Sequence, residues 1–149
     1  MNIQEIVNPT DYEVGCIIAR FQVHELHKAH VELIDLVCNN HKKVIIFLGV
    51  SKISDTRRNP LDFATRKSMI QETYPNVVIL PLPDQRYDTV WSNTLDTLIS
   101  VPYGAKKTLL YGSRDSFLPH YKGRHATTEL VSSVYYSGTE VRNMVSKEI

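Results

Sequence analysis

Along this chain short apolar runs alternate with stretches of helical periodicity. Residues 14–20 (VGCIIAR) are apolar up to Arg20 and rich in β-branched side chains, the pattern of a strand buried on both faces. After a polar loop, residues 29–40 place Val31, Leu33, Ile34, Val37 and Cys38 at helical spacing. Residues 43–50 (KVIIFLGV) predict a second buried strand, ending in Gly-x-Ser. A polar segment, SKISDTRRNP, then leads through Pro60 into a helix predicted over about residues 62–74, with Asp62 as its N-cap. Residues 77–82 (VVILPL) predict a third strand and residues 87–100 a helix whose inner face carries Val90, Trp91, Leu95, Leu98 and Ile99. Residues 107–112 (KTLLYG) predict a fourth strand, again followed by serine. A fifth strand is expected over 130–136 and a closing helix over 139–147.

Strands and helices in strict alternation predict an α/β fold of the Rossmann-like, doubly wound kind. About five parallel strands would form the middle layer of a three-layer α/β/α sandwich, joined by right-handed crossovers. Ligands of such sheets bind beyond the carboxyl ends of the strands, where strand order reverses. The 149 residues are enough for one domain with a sizeable core, residues 1–12 forming an N-terminal extension.

Composition narrows the partners. The chain is 42% apolar and 22% charged, with 17 basic and 16 acidic residues and a net charge of +1. No Lys/Arg run marks a polyanion binder, so nucleic acid is not an expected partner. No stretch approaches the roughly 20 apolar residues of a membrane span, and the first residues lack the charged-then-apolar order of a signal peptide. Cys16 and Cys38, each inside a predicted element, are expected to be buried thiols of a protein in the reducing cytoplasm.

The polar clusters follow the strand ends. Strand one is followed by Arg20, Gln22, His24, His27 and His30, and strand two by Ser51, Lys52, Arg57 and Arg58. Strand three leads to Asp84 and Trp91, strand four to Ser113, Arg114 and Asp115, and the last strand to Ser137, Gly138, Thr139 and Arg142. Cations gathered at one sheet edge in a nearly neutral chain fit a multiply charged anion such as a nucleoside triphosphate, although scattered solvated arginines give the same pattern. Ser137 and Thr139 stand at a helix start, Gly138 admits close backbone approach, and Arg142 lies one turn on; this suits a phosphate or an ordinary capping box. The histidines at 24, 27 and 30 leave three readings: a metal site, for which further ligands are missing; a solvated or structural pair; or imidazoles hydrogen-bonding a phosphate at a helix N-terminus.

These motifs resemble, in order, those of the nucleotidyltransferase superfamily marked by His-x-Gly-His after strand one and Ile/Tyr-Ser-x-Thr-x-x-Arg near the end. Within it the chain is most similar to nicotinamide-mononucleotide adenylyltransferases of the archaeal and Nudix-fused types. The family's Gly-Arg-Phe-Gln is represented by Ala19-Arg20-Phe21-Gln22 and its Arg-Asn-Pro by Arg58-Asn59-Pro60, with Arg66 following. Its Asp with Trp seven residues on is matched by Asp84 and Trp91. Tyr-Ser-Gly-Thr-Glu-Val-Arg stands intact at residues 136–142. The chain departs from the family at Ala19 and Ala29, and two extra residues precede the histidine pair. His24 and His27 offer a rival register; His27 and His30 are preferred because the apolar helix pattern begins just after His30.

The resemblance implies transfer of AMP from ATP to nicotinamide mononucleotide, giving NAD and pyrophosphate by in-line displacement. It implies that His27, His30 and Arg142 are catalytic. Arg20, Phe21, Gln22, Arg58, Gly112, Ser137, Gly138 and Thr139 would bind ATP, and Asp84 and Trp91 the acceptor. Mg²⁺ would arrive with ATP, without a protein metal site of its own. The partners implied are ATP and a mononucleotide, with self-association possible and no membrane. The alternatives are a sister cytidylyl- or adenylyltransferase with another phosphate acceptor, and a nucleotide-sensing module without turnover.

Overall fold

A computed structural model of the chain describes residues 8–23, 25–51, 62–112 and 116–130. After a single 3₁₀ turn the elements run β1 (Val14–Ala19), α1 (Lys28–Asn40), β2 (Lys43–Val50), α2 (Phe63–Thr73), β3 (Val78–Pro83), α3 (Asp88–Tyr103), β4 (Thr108–Gly112), a second 3₁₀ turn and β5 (Ala126–Glu129). The five strands form one parallel sheet in the order β3-β2-β1-β4-β5. β1 is therefore central, and successive strands run outward from it first to β2 and β3, then to β4 and β5. The reversal opens a crevice at the carboxyl ends of β1 and β4, where the loop after β1 must pass.

The period-two alternation of the strands divides the apolar residues between two cores. Ile17, Ile46, Leu48, Ile79 and Leu109 face α1 and α2, meeting Leu33, Ile34, Val37 and Ile70. Val14, Cys16, Ile45, Phe47, Leu82 and Leu110 face the other way, meeting Leu95 and Ile99 of α3 and Phe117. The expected three-layer α/β/α fold is what the structure shows. Cys16 and Cys38 are free thiols, buried and half-buried respectively, and burial pushes both upward in pKa.

Two expectations need correction. Val90 is 45% exposed and does not belong to the inner face of α3; that face carries Ser92, Leu95, Asp96 and Ile99. The fifth strand lies at Ala126–Glu129, before the expected 130–136, where Leu130 is already outside the strand and 131–136 fall outside the described residues. The strand is placed by pairing Leu109–Gly112 with Ala126–Glu129 and by a polar junction to α3, not by an apolar run of its own. In that junction Asp96 accepts hydrogen bonds from the Tyr121 hydroxyl (2.5 Å) and the Arg124 N–H (3.0 Å), and the Ser92 hydroxyl accepts from the Lys122 N–H (2.8 Å). The expected closing helix over 139–147 also lies outside the described residues.

At the opposite edge β3 carries Pro81 and Pro83. The Asp84 N–H donates to the Val50 carbonyl (2.8 Å), so by alternation the nitrogens of 81 and 83 face away from β2. Each proline thus stands where its missing donor costs the sheet nothing.

Candidate active site

α1 follows the loop that leaves the central strand, with His27 at its N-cap and His30 in its first turn. The His27 N–H donates to His30 Nδ1 at 3.2 Å, the return half of a capping box. His30 is 7% exposed, and burial together with the neighbouring His27 lowers its pKa from 6.5 to about 4. A neutral imidazole that accepts at Nδ1 carries its proton on Nε2, so His30 is an uncharged donor at physiological pH. The ring of His27 lies 5.4 Å from that of His30, and the edge of Phe21 meets His30 at 5.1 Å. Phe21 turns the chain with φ +49°, a left-handed conformation costly for an aromatic residue. The next turn is closed by the Val23 N–H donating to the Phe21 carbonyl (2.9 Å).

Arg20 leaves β1 sideways. Its Nη2 reaches Asp84 Oδ1 at 2.5 Å, so the guanidinium spans the end of β2 to the loop after β3. Gly49 opens that path: a Cβ there would stand 3.3 Å from Cγ, Cζ and Nη1 of Arg20. Arg66 of α2 lies beneath the same junction, donating from Nη1 to the carbonyls of Arg20 (2.9 Å) and Gly49 (2.8 Å). Sequence reasoning singled out Arg66 only as a companion of Arg58-Asn59-Pro60. The signal available was an arginine four residues after the Asp62 N-cap, set to point back at the strand ends.

Gly112 ends β4, and its close contacts come from its own chain: a Cβ would lie 2.6 Å from Ser116 Oγ and 2.7 Å from Phe117. Its carbonyl accepts the Leu130 N–H at 2.8 Å. Trp91, in the first turns of α3, is half-buried against the second core, its ring 6.1 Å from Phe117. The structure thus brings together Arg20, Phe21, His27, His30 and Asp84 at one rim, with Gln22 in the same loop. Arg58, Ser137, Gly138, Thr139 and Arg142 lie outside the described residues, as do His24, Arg114 and Asp115.

No family model matches the chain. The nicotinamide-nucleotide adenylyltransferase of Thermococcus onnurineus is 25% identical over 91 residues, 57% of this chain and 48% of the relative. That of Methanococcus vannielii is 28% identical over 136 residues, 88% of this chain and 76% of the relative. The crystal structure of a bifunctional NMN adenylyltransferase/ADP ribose pyrophosphatase from Francisella tularensis, complexed with AMP and a manganese ion, superposes with a TM-score of 0.71 at 26% identity. It is covered over 42% of its length by 93% of this chain. The chain is related to the nicotinamide-nucleotide adenylyltransferases. It spans about half the length of the Thermococcus relative it matches, and less than half of the Francisella protein.

Proposed function

We propose that the chain is an adenylyltransferase that moves AMP from ATP to nicotinamide mononucleotide, giving NAD and pyrophosphate. The observation that carries the reading is the buried, neutral His30 beside His27 at the start of α1, its ring against Phe21 in the loop that leaves the central strand. A phosphate oxygen of the mononucleotide attacks the α-phosphorus of ATP, and the bond to the β-phosphate oxygen breaks. The second pKa of a phosphate monoester is about 6, so the nucleophile is already ionised near neutrality and needs no general base. The protein's task is to align two anions and to hold charge on the leaving group.

His30 Nε2–H and His27 would contact the α- and β-phosphates, aided by the amide groups of the α1 N-terminus. Arg20, with Phe21 and Gln22 in its loop, would face the triphosphate, and Asp84 would serve both as partner of Arg20 and as acceptor of a mononucleotide hydroxyl. Arg58, Gly112, Ser137, Gly138, Thr139 and Arg142 complete the ATP site in this reading, and Trp91 stacks on the nicotinamide ring. Mg²⁺ enters as part of MgATP, held chiefly by phosphate oxygens, as that ion commonly is in such sites. Among the described residues no helix is long and apolar enough to cross a membrane.

The reading is tested by incubating the chain with MgATP and nicotinamide mononucleotide and measuring NAD and pyrophosphate together. Pyrophosphate formed only with CTP, or only with another phosphate acceptor, would make it a sister transferase. ATP binding with no pyrophosphate from any acceptor would make it a sensing module.

A further inference from the structure

Arg66 is the most deeply buried charged side chain among the described residues, 2% exposed. Its described partners are main-chain carbonyls, not carboxylates: Asp62 through Nε (3.2 Å), and Arg20 and Gly49 through Nη1 (2.9 and 2.8 Å). These carbonyls belong to three segments, the start of α2, the exit of β1 and the end of β2. Burial and the neighbouring Arg20 lower the pKa of this guanidinium, and the nearby Asp62 and Asp84 carboxylates offset that only in part. Its hydrogen bonds go to the carbonyls of the three segments, which gives it a geometric role at their junction.

The Arg20 carbonyl is part of the peptide that joins Arg20 to Phe21. Gripping it fixes the plane from which the chain turns into the left-handed conformation of Phe21, φ +49°. Two side chains then take their direction from that peptide. Arg20 runs over Gly49 to Asp84, and the Phe21 ring seats against His30 at 5.1 Å. We propose that Arg66 is a positioning residue that, by holding the Arg20–Phe21 peptide, aims Arg20 and seats His30. Its consequence for turnover rests on the adenylyltransferase reading; its consequence for the geometry of the loop does not. Only a planar fork can reach all three carbonyls at once, so lysine is a poor substitute.

The test compares the full chain with Arg66→Ala and Arg66→Lys, and with Arg86→Ala as an exposed arginine control. Two readouts are taken: NMR resonances of the Phe21 amide and the His30 imidazole without substrate, and kcat/KM for ATP in the folded protein. Arg66→Ala is expected to shift both resonances and to lower kcat/KM about 100-fold, the usual size of a small misplacement of reacting groups. Millimolar guanidinium should restore both, while methylammonium should not, and Arg86→Ala should change neither. Unmoved Phe21 and His30 resonances in folded Arg66→Ala would overturn the proposal. So would shifts spread equally to Ile45 and Leu95 on the far core without guanidinium rescue, which mark a merely structural arginine. Should Arg66→Ala not fold, Arg66→Lys is read in the same way. If the wild-type chain transfers no nucleotide, the functional reading fails and the resonances alone decide the role of Arg66.

Discussion

His30 combines two properties that rarely coincide in a histidine: a buried position at a helix start and a lone pair already committed to the backbone. Replacing it with alanine is expected to lower kcat about 100-fold if it stabilises charge as the displacement proceeds. The lost cap costs only about 1 kcal/mol, so urea midpoints should move little by comparison. The same burial gives a pH signature. His30, His41 and His125 all have folded-state pKa values lowered first by burial, while the unfolded chain titrates near 6.5. The unfolded state therefore binds more protons as acidity rises, and stability that is complete above 6.5 is lost as pH falls from there toward the folded value of about 4 for His30. With about 1.4 kcal/mol per pKa unit, His30 alone contributes on the order of 3 kcal/mol to this loss. Urea midpoints measured from pH 8 downward should be level to about 6.5 and then decline; a level curve through pH 5 would contradict the burial of these rings.

A second prediction at this scale concerns Gly49. Its alanine variant sets a methyl 3.3 Å from three atoms of Arg20, so the arginine must leave Asp84 or shift over β2. The expected result is a higher KM for ATP with a stability change below about 1 kcal/mol, since the pair is partly exposed and such pairs contribute little. The histidine pair and Arg20 were legible in the sequence because their order after β1 is local. The meeting of Arg20 with Asp84, 64 residues on, was not. Neither was the grip of Arg66, because strand-end carbonyls leave no mark in a sequence.

Among the elements, four strands and three helices fall within a few residues of where apolar periodicity and the Asp62 cap place them. The fifth strand shows where that method fails. Ala126–Glu129, at the edge of the sheet among the described residues, has no apolar run and is fixed by its neighbour β4 and by polar contacts between the segment before it and α3. Tyr121 is central to those contacts: its hydroxyl donates to Asp96 and accepts the His125 N–H at 3.0 Å. Tyr121→Phe should cost about 1–3 kcal/mol, the usual cost of leaving such partners unsatisfied, with kcat/KM for ATP unchanged. Denaturation and kinetics on one preparation check both halves. Trp91 packs against Phe117, and in the adenylyltransferase reading it would also meet the acceptor. Trp91→Phe keeps an aromatic ring for Phe117 but offers a smaller surface to a nicotinamide ring. KM for the mononucleotide should therefore rise several-fold, while the loss of stability stays below the roughly 3–5 kcal/mol of truncating a buried tryptophan to alanine.

For the whole molecule, alternation of strand and helix was enough to predict a parallel sheet covered on both sides. Which strand is central was not readable from any segment, since sheet order depends on how all the crossovers pack. The place of the candidate site is predictable all the same, because a doubly wound sheet has one place where successive connections diverge. Polar residues after the strands make the carboxyl edge the candidate. The β3 border has a further consequence in crowded solution. A donor-poor flank with Pro81 and Pro83 is a weak template for another extended chain, so strand addition there is discouraged. Replacing both prolines with valine should leave the sheet's own ladder intact and yet promote fibrillar self-assembly, which thioflavin fluorescence over time would register.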